Sequence, residues 1–163
     1  MRTISLHTFA VGLAAVVVTG LLAGAPSDAA APAPQSERIS AAAKYGRDAF
    51  AATNNRRARY DRAVFRSNEC LQRYAVRNAR RMANREVMRH QHMGPIMRAC
   101  GLNAVGENIA DNYPNGRSVV QGWMGSPPHR RNILNPSFRL MAVAARKGDN
   151  GHWYAAQVFG RRA

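Results

Sequence analysis

The chain closes on two strand-forming runs, Phe138–Arg146 ("FRLMAVAAR") and His152–Gly160 ("HWYAAQVFG"), separated by the turn-forming stretch "KGDNG". Two such runs around an Asn-Gly turn predict a β-hairpin, whose strands are antiparallel by construction. A hairpin is marginal alone and needs further strands or helices to cover it. The residues before it must supply that cover, and most of them carry helical patterns.

Ile39 to Tyr60 has helical composition, with Ala41, Tyr45, Ala49, Ala52 and Arg56 at helical spacing. "DRAVFRS" breaks it. Ser67 is positioned to cap a second helix, with Glu69 favoured in its first turn by the dipole. Leu71, Ala75, Ala79, Met82 and Ala83 then form an apolar stripe, with Arg73, Arg77, Arg80, Arg81 and Arg85 on the other side. "NAVGENIADNY" reads as a strand or strand-like turn, and Arg117–Met124 as a short helix. Ser126-Pro127 opens another, with serine as N-cap and proline at the first helical position; Asn135-Pro136 ends it. Helices first and a hairpin last predict an α+β fold, with helices packed over a small antiparallel sheet.

The ends bound the domain. Residues 1–30 read as a secretory signal: Arg2, an apolar run from Phe9 to Gly24, then small residues around Ala29. The run is short of the ~20 residues a spanning helix needs. Residues 31–43 read as a flexible leader and 44–163 as one domain with one core. Cys70 and Cys100 are the two cysteines, and an even count in an exported chain points to one disulfide. It would close a loop of about 30 residues and add roughly 3 kcal/mol; two free thiols are the alternative.

The formal net charge is +15, and 22 of the 24 basic residues are arginine. Such a chain adheres to anionic polymers or anionic lipid, although GC-rich coding also favours arginine over lysine. The arginine face of the second helix lacks interleaved aromatics for base stacking, so no specific nucleic acid is expected and a solvated helix face is the simpler account.

His90 in "EVMRHQHM", Glu107 in "VGENIA", and Ser126 and His129 in "WMGSPPHRRNIL" stand out as polar residues in apolar surroundings. With "TNNRR" (Thr53 to Arg57), "ARRMANREVMRHQ" and "AAQVFG", these segments resemble, in order, the SCP-type domain of the CAP superfamily: cysteine-rich secretory proteins, antigen 5 and plant pathogenesis-related class 1 proteins. The chain is most similar to the bacterial secreted branch. The resemblance runs from about Phe50 to Gly160. It implies an α–β–α sandwich with an open cleft, and a helix ending at a site histidine, which falls on His90. It also implies a cleft of His90, Glu107 and His129, whose histidines can hold a divalent metal such as Zn²⁺. The family's second glutamate aligns with Ser126. Pro128 stands where glycine is usual. Ala142 and Ala144 replace glycines, and their methyls are expected to narrow the cleft floor.

The residues alone permit three readings. Two imidazoles and a carboxylate make a competent Zn²⁺ shell with a position left for water, or Glu107 is a base with a histidine partner. In the third, His129 bonds Glu107 and fixes the cleft wall. His90, Glu107 and His129 lie 17 and 22 residues apart, so only the fold can bring them together. His92 and His152 are expected at the surface, and Asn54, Arg57, Asn132 and Gln157 as ties between loops and core. The leading expectation is a secreted, monomeric, non-catalytic module that binds a lipid, a sterol-like molecule or an anionic cell-envelope ligand, with peripheral wall or membrane contact. A metal-dependent extracellular hydrolase using His90, Glu107 and His129 is one alternative; a cationic antimicrobial or polyanion-binding protein is another.

Overall fold

A computed structural model describes residues 34–162. The expected signal segment 1–30 lies outside the described residues. The expected leader does not end at residue 43: helix α1 spans Gln35–Arg59 and takes in most of it. Its buried positions Tyr45, Ala49, Thr53 and Arg57 recur every four residues, the spacing of one helix face. The inward stripe therefore passes through Thr53 and Arg57 rather than Ala52 and Arg56, because hydrogen bonds satisfy both polar groups. Thr53 Oγ1 donates to Ala49 O at 2.8 Å.

A two-residue strand β1, Arg66–Ser67, precedes helix α2, Glu69–Arg85. The cap of α2 is Asn68, not Ser67: its side chain accepts from Leu71 N at 2.9 Å, while Ser67 is taken up by the sheet. Helix α3, Met93–Cys100, has no counterpart in the sequence reading; it ends at Gly101, whose φ of 61° suits glycine. Strand β2 is Ala104–Asp111, and helix α4, Gly116–Gly125, opens on a capping box of Asn115 and Ser118. Helix α5 is Pro127–Leu134, followed by the expected hairpin of β3, Leu140–Lys147, and β4, Trp153–Arg161.

The sheet runs β1-β3-β4-β2. β4 pairs antiparallel with both β3 and β2, and β1 joins β3 in parallel, so the sheet is antiparallel except for that two-residue edge. Side chains alternate between its faces. Met141, Val143, Ala145, Ala155 and Phe159 join a core with Tyr45, Val119, Val120, Trp123 and Ile133. Ala142, Ala144, Tyr154, Ala156 and Val158 join a second with Leu71, Ala75, Ala79, Met82 and Ile96. Helices α1, α4 and α5 thus cover one face and α2 and α3 the other, the expected α–β–α sandwich. Ala142 and Ala144 face α2, so their methyls fill core and do not narrow a cleft floor. The disulfide Cys70–Cys100 ties the first turn of α2 to the last turn of α3.

Candidate functional site

β2 is an edge strand, and its two faces position two halves of one site. Glu107 points toward α2. It is the most connected polar group of the region, its side chain only 1% exposed. Oε1 accepts from Asn78 Nδ2 at 2.8 Å and Gln91 Nε2 at 2.7 Å. Oε2 accepts from the Gln91 backbone N–H at 3.0 Å and faces His90 Nδ1 at 2.9 Å. A carboxylate only accepts, so Nδ1 of His90 carries a proton, and Nε2 is the ring's other nitrogen, turned away from Glu107. An ionised carboxylate offers about four lone-pair sites, and all four are used here. A buried charge left unpaired would cost several kcal/mol; this one is fully met.

His90 does not end α2. That helix stops at Arg85, with Glu86 in a left-handed conformation, and His90 follows in an irregular stretch. The stretch is held from below. Asn78 Nδ2 also donates to Arg89 O, and Arg81 donates to Asn78 Oδ1 at 2.6 Å and to the carbonyls of Arg89 and His90. One member of the expected arginine face is therefore turned inward to clamp the loop that presents His90.

The other face of β2 carries Asn108, which organises the His129 side. Its Nδ2 donates to His129 O at 3.1 Å and to Gln157 Oε1 at 3.0 Å. Asn132 donates to Asn108 Oδ1 and to Glu107 O. Gln157 donates on to Thr53 Oγ1 at 2.8 Å. A buried polar chain thus runs from α1 through β4 and β2 into α5, and no buried side-chain N or O among the described residues lacks a partner. His129 is set by its backbone. Its ring makes no hydrogen bond to Glu107, contrary to the expected wall-fixing contact. Its pKa lies below the ordinary histidine value, first through partial burial and then through the nearby charge of His90.

Ser126 precedes α5, but its hydroxyl caps nothing; only its carbonyl accepts, from Arg130 N at 2.8 Å. Pro128, at the second helical position, removes one of the two N–H groups that a capping side chain would serve. Among the described residues, no group of three or more His, Cys, Asp or Glu side chains is placed to hold a metal. The expected three-residue shell is not formed, because Glu107 is committed to four donors. What remains is a pair of imidazoles. His92 is exposed at the start of α3, and His152 lies beside Asp111 at 3.9 Å, away from the pair.

Asn54 and Arg57 are structural, as expected. Asn54 brackets Phe65 by accepting from its N–H and donating to its carbonyl. Arg57 donates to the carbonyls of Ala63, Ile133, Asn135 and Phe138 and lies over the Phe65 ring. Sequence reasoning missed Asn78, Arg81, Asn108 and Gln91. Asn78 had a signal, an amide among the apolar positions of α2. Gln91 had none, since nothing local distinguishes it.

The family model for the cysteine-rich secretory protein family, CAP, matches residues 50–159. The uncharacterised protein YkwD of Bacillus subtilis is 29% identical over 129 residues, covering 75% of this chain and 49% of that protein. Among solved structures, an extracellular SCP-domain protein of Bacillus anthracis superposes with a TM-score of 0.72 at 22% identity, over 82% of this chain and 45% of that one. An outer surface protein of Borrelia burgdorferi gives 0.63 at 18% identity, over 70% of this chain and 90% of that one. This chain thus spans about half the length of these two Bacillus proteins.

Proposed function

The chain belongs to the cysteine-rich secretory protein family, and we propose that it is a secreted binding module that holds a lipid or anionic cell-envelope ligand without converting it. The observation that carries this reading is the saturation of Glu107. A general base needs a free lone pair directed at substrate; both oxygens of Glu107 are occupied by groups that order the His90 loop. Ser126 has no hydrogen bond to His129, so a serine nucleophile lacks its base as well. The +15 charge supports attraction to an anionic surface.

One observation favours a second reading, a two-histidine divalent metal site. Glu107 holds Nδ1 of His90, which leaves Nε2 as the ring's ligating nitrogen, and His129 favours its neutral form. The residues fit a two-imidazole contact with Zn²⁺ and do not fit a His₂Glu shell. A bound ion would supply Lewis acidity there; the protein's part is to fix the His90 tautomer through Glu107.

The test combines binding and turnover. The protein is incubated with phosphatidylglycerol or phosphatidylcholine vesicles and, separately, with casein plus zinc. The expected result is retention on the anionic vesicles and no proteolysis. Casein cleavage lost in both His90→Ala and His129→Ala, with unchanged melting temperatures, would replace this reading with the hydrolase. Zinc calorimetry on the same variants checks the second reading, which requires a stoichiometric site that both substitutions abolish.

A further inference from the structure

We propose that the outer edge of β3 takes up an extended acidic peptide segment of a partner protein as an added strand. The two-residue β1 pairs only with Leu140 and Met141, so β3 beyond them has no strand partner on its outer side among the described residues. The hydrogen-bond phase follows from the register. Gly148 N donates to His152 O, and these residues continue the pairing of even-numbered β3 residues with β4. The backbone groups of Val143 and Ala145 therefore point away from β4. Val143 O accepts from Gln72 Nε2 at 3.3 Å, an amide standing where the next strand's amide would stand. The N–H groups of Val143 and Ala145 and the carbonyl of Ala145 have no hydrogen-bond partner within the described residues. Yet the two residues are only 5% and 6% exposed. Buried backbone groups are nearly always paired.

A groove of about 510 Å³ lies along this edge, between α1 and α2, within the range of ligand-sized sites. Ala42, Ala43 and Gly46 of α1 line it, and at Gly46 the helix lies so close to the strand that a Cβ would stand 2.9 Å from Val143 O. Ile39 and Val76 flank it while 54% and 48% exposed, apolar surface suited to alternate side chains of a strand. Arg47, Arg80 and Arg146 rim it, and none forms a hydrogen bond or ion pair within the described residues. Their charge selects an acidic partner. An acyl chain would fit the apolar wall but leave the three backbone groups dry and unpaired, at about 1–3 kcal/mol each; a peptide strand pairs them. The assignment is independent of His90 and His129, which lie beside β2 at the opposite edge.

A random dodecapeptide phage library, panned on the immobilised protein, tests this. Enriched peptides should alternate β-branched or aromatic residues and carry Asp or Glu. Their synthetic forms should lose at least about tenfold in affinity when alternate amides are N-methylated, and again against Ala43→Trp, which fills the groove from an exposed helix position. The surface pair Arg47→Glu, Arg80→Glu should weaken them without lowering the melting temperature, and gives a readout should Ala43→Trp fold poorly. Failure to enrich peptides above background overturns the proposal, as does binding indifferent to N-methylation or to both sets of substitutions. Palmitate binding that Ala43→Trp abolishes, with no peptide enriched, also overturns it and assigns the groove to a single-chain amphiphile.

Discussion

Glu107 shows how one residue type serves opposite ends in different surroundings. An exposed glutamate in a cleft is a candidate base; this one is an anchor, because Asn78, Gln91 and His90 converge on it. Glu107→Gln sets an amide N–H against donors that have nowhere else to turn. It should cost about 2–3 kcal/mol in urea denaturation, whereas His90→Ala, at a half-exposed side chain, should cost under about 1 kcal/mol. Equal losses would mean that the carboxylate is not the hub. His129 gives a pH prediction. Its folded pKa is depressed by burial and by His90, so below the ordinary histidine value the unfolded chain binds more protons than the folded one. Stability therefore falls as pH drops through about 6.5, and the loss levels off below the folded pKa. Denaturation midpoints measured between about pH 5 and 8 should show a slope that His129→Gln reduces.

At the scale of elements, ties between loops decide what the helices present. Arg57 reaches from α1 to four carbonyls: Ala63 in the loop after α1, Ile133 in the last turn of α5, and Asn135 and Phe138 in the loop from α5 into β3. Burial, with Arg139 and Arg62 nearby, pushes its guanidinium down to about 10, so it stays charged at neutral pH. Arg57→Ala orphans those carbonyls and should destabilise the fold by at least about 3 kcal/mol, with Arg57→Lys recovering only part because an ammonium lacks the planar fork. The Cys70–Cys100 bridge acts on the other helical layer. It spans α2 and α3, so the loop bearing His90 lies inside the closed segment. Replacing both cysteines with serine should cost roughly 3–4 kcal/mol. Amide exchange should rise over residues 86–92 more than in β4; uniform acceleration would show that the bridge does not specifically order the loop.

Over the whole molecule, the charge is the dominant property. With +15 net and most arginines at the surface, association with anionic vesicles should fall more than tenfold between about 50 and 200 mM salt. Arg73→Glu with Arg77→Glu should weaken it and leave the hydrogen bonds of Glu107 intact. A flat salt response would remove charge as the basis of attachment. The sheet adds an asymmetry that composition cannot express: one edge, β2, carries the histidine pair, and the other, β3, has no strand partner beyond Met141 among the described residues.

Much of this was legible in the chain itself. The hairpin, the stripe of α2 and the order of motifs from Phe50 to Gly160 follow from local periodicity and turn chemistry, which act over a few residues, and together they determine the α–β–α class and the neighbourhood of His90, Glu107 and His129. Tertiary structure alone decided what those residues do. Glu107 receives Asn78 from 29 residues away and Gln91 from 16; His129 is placed by Asn108, 21 residues earlier; and the pairing of β1 with β3 stops at Met141 because Asn68 starts α2 after two residues of β1. Hydrogen bonds between distant segments and the length of an edge strand have no local period, so they are set only when the layers close.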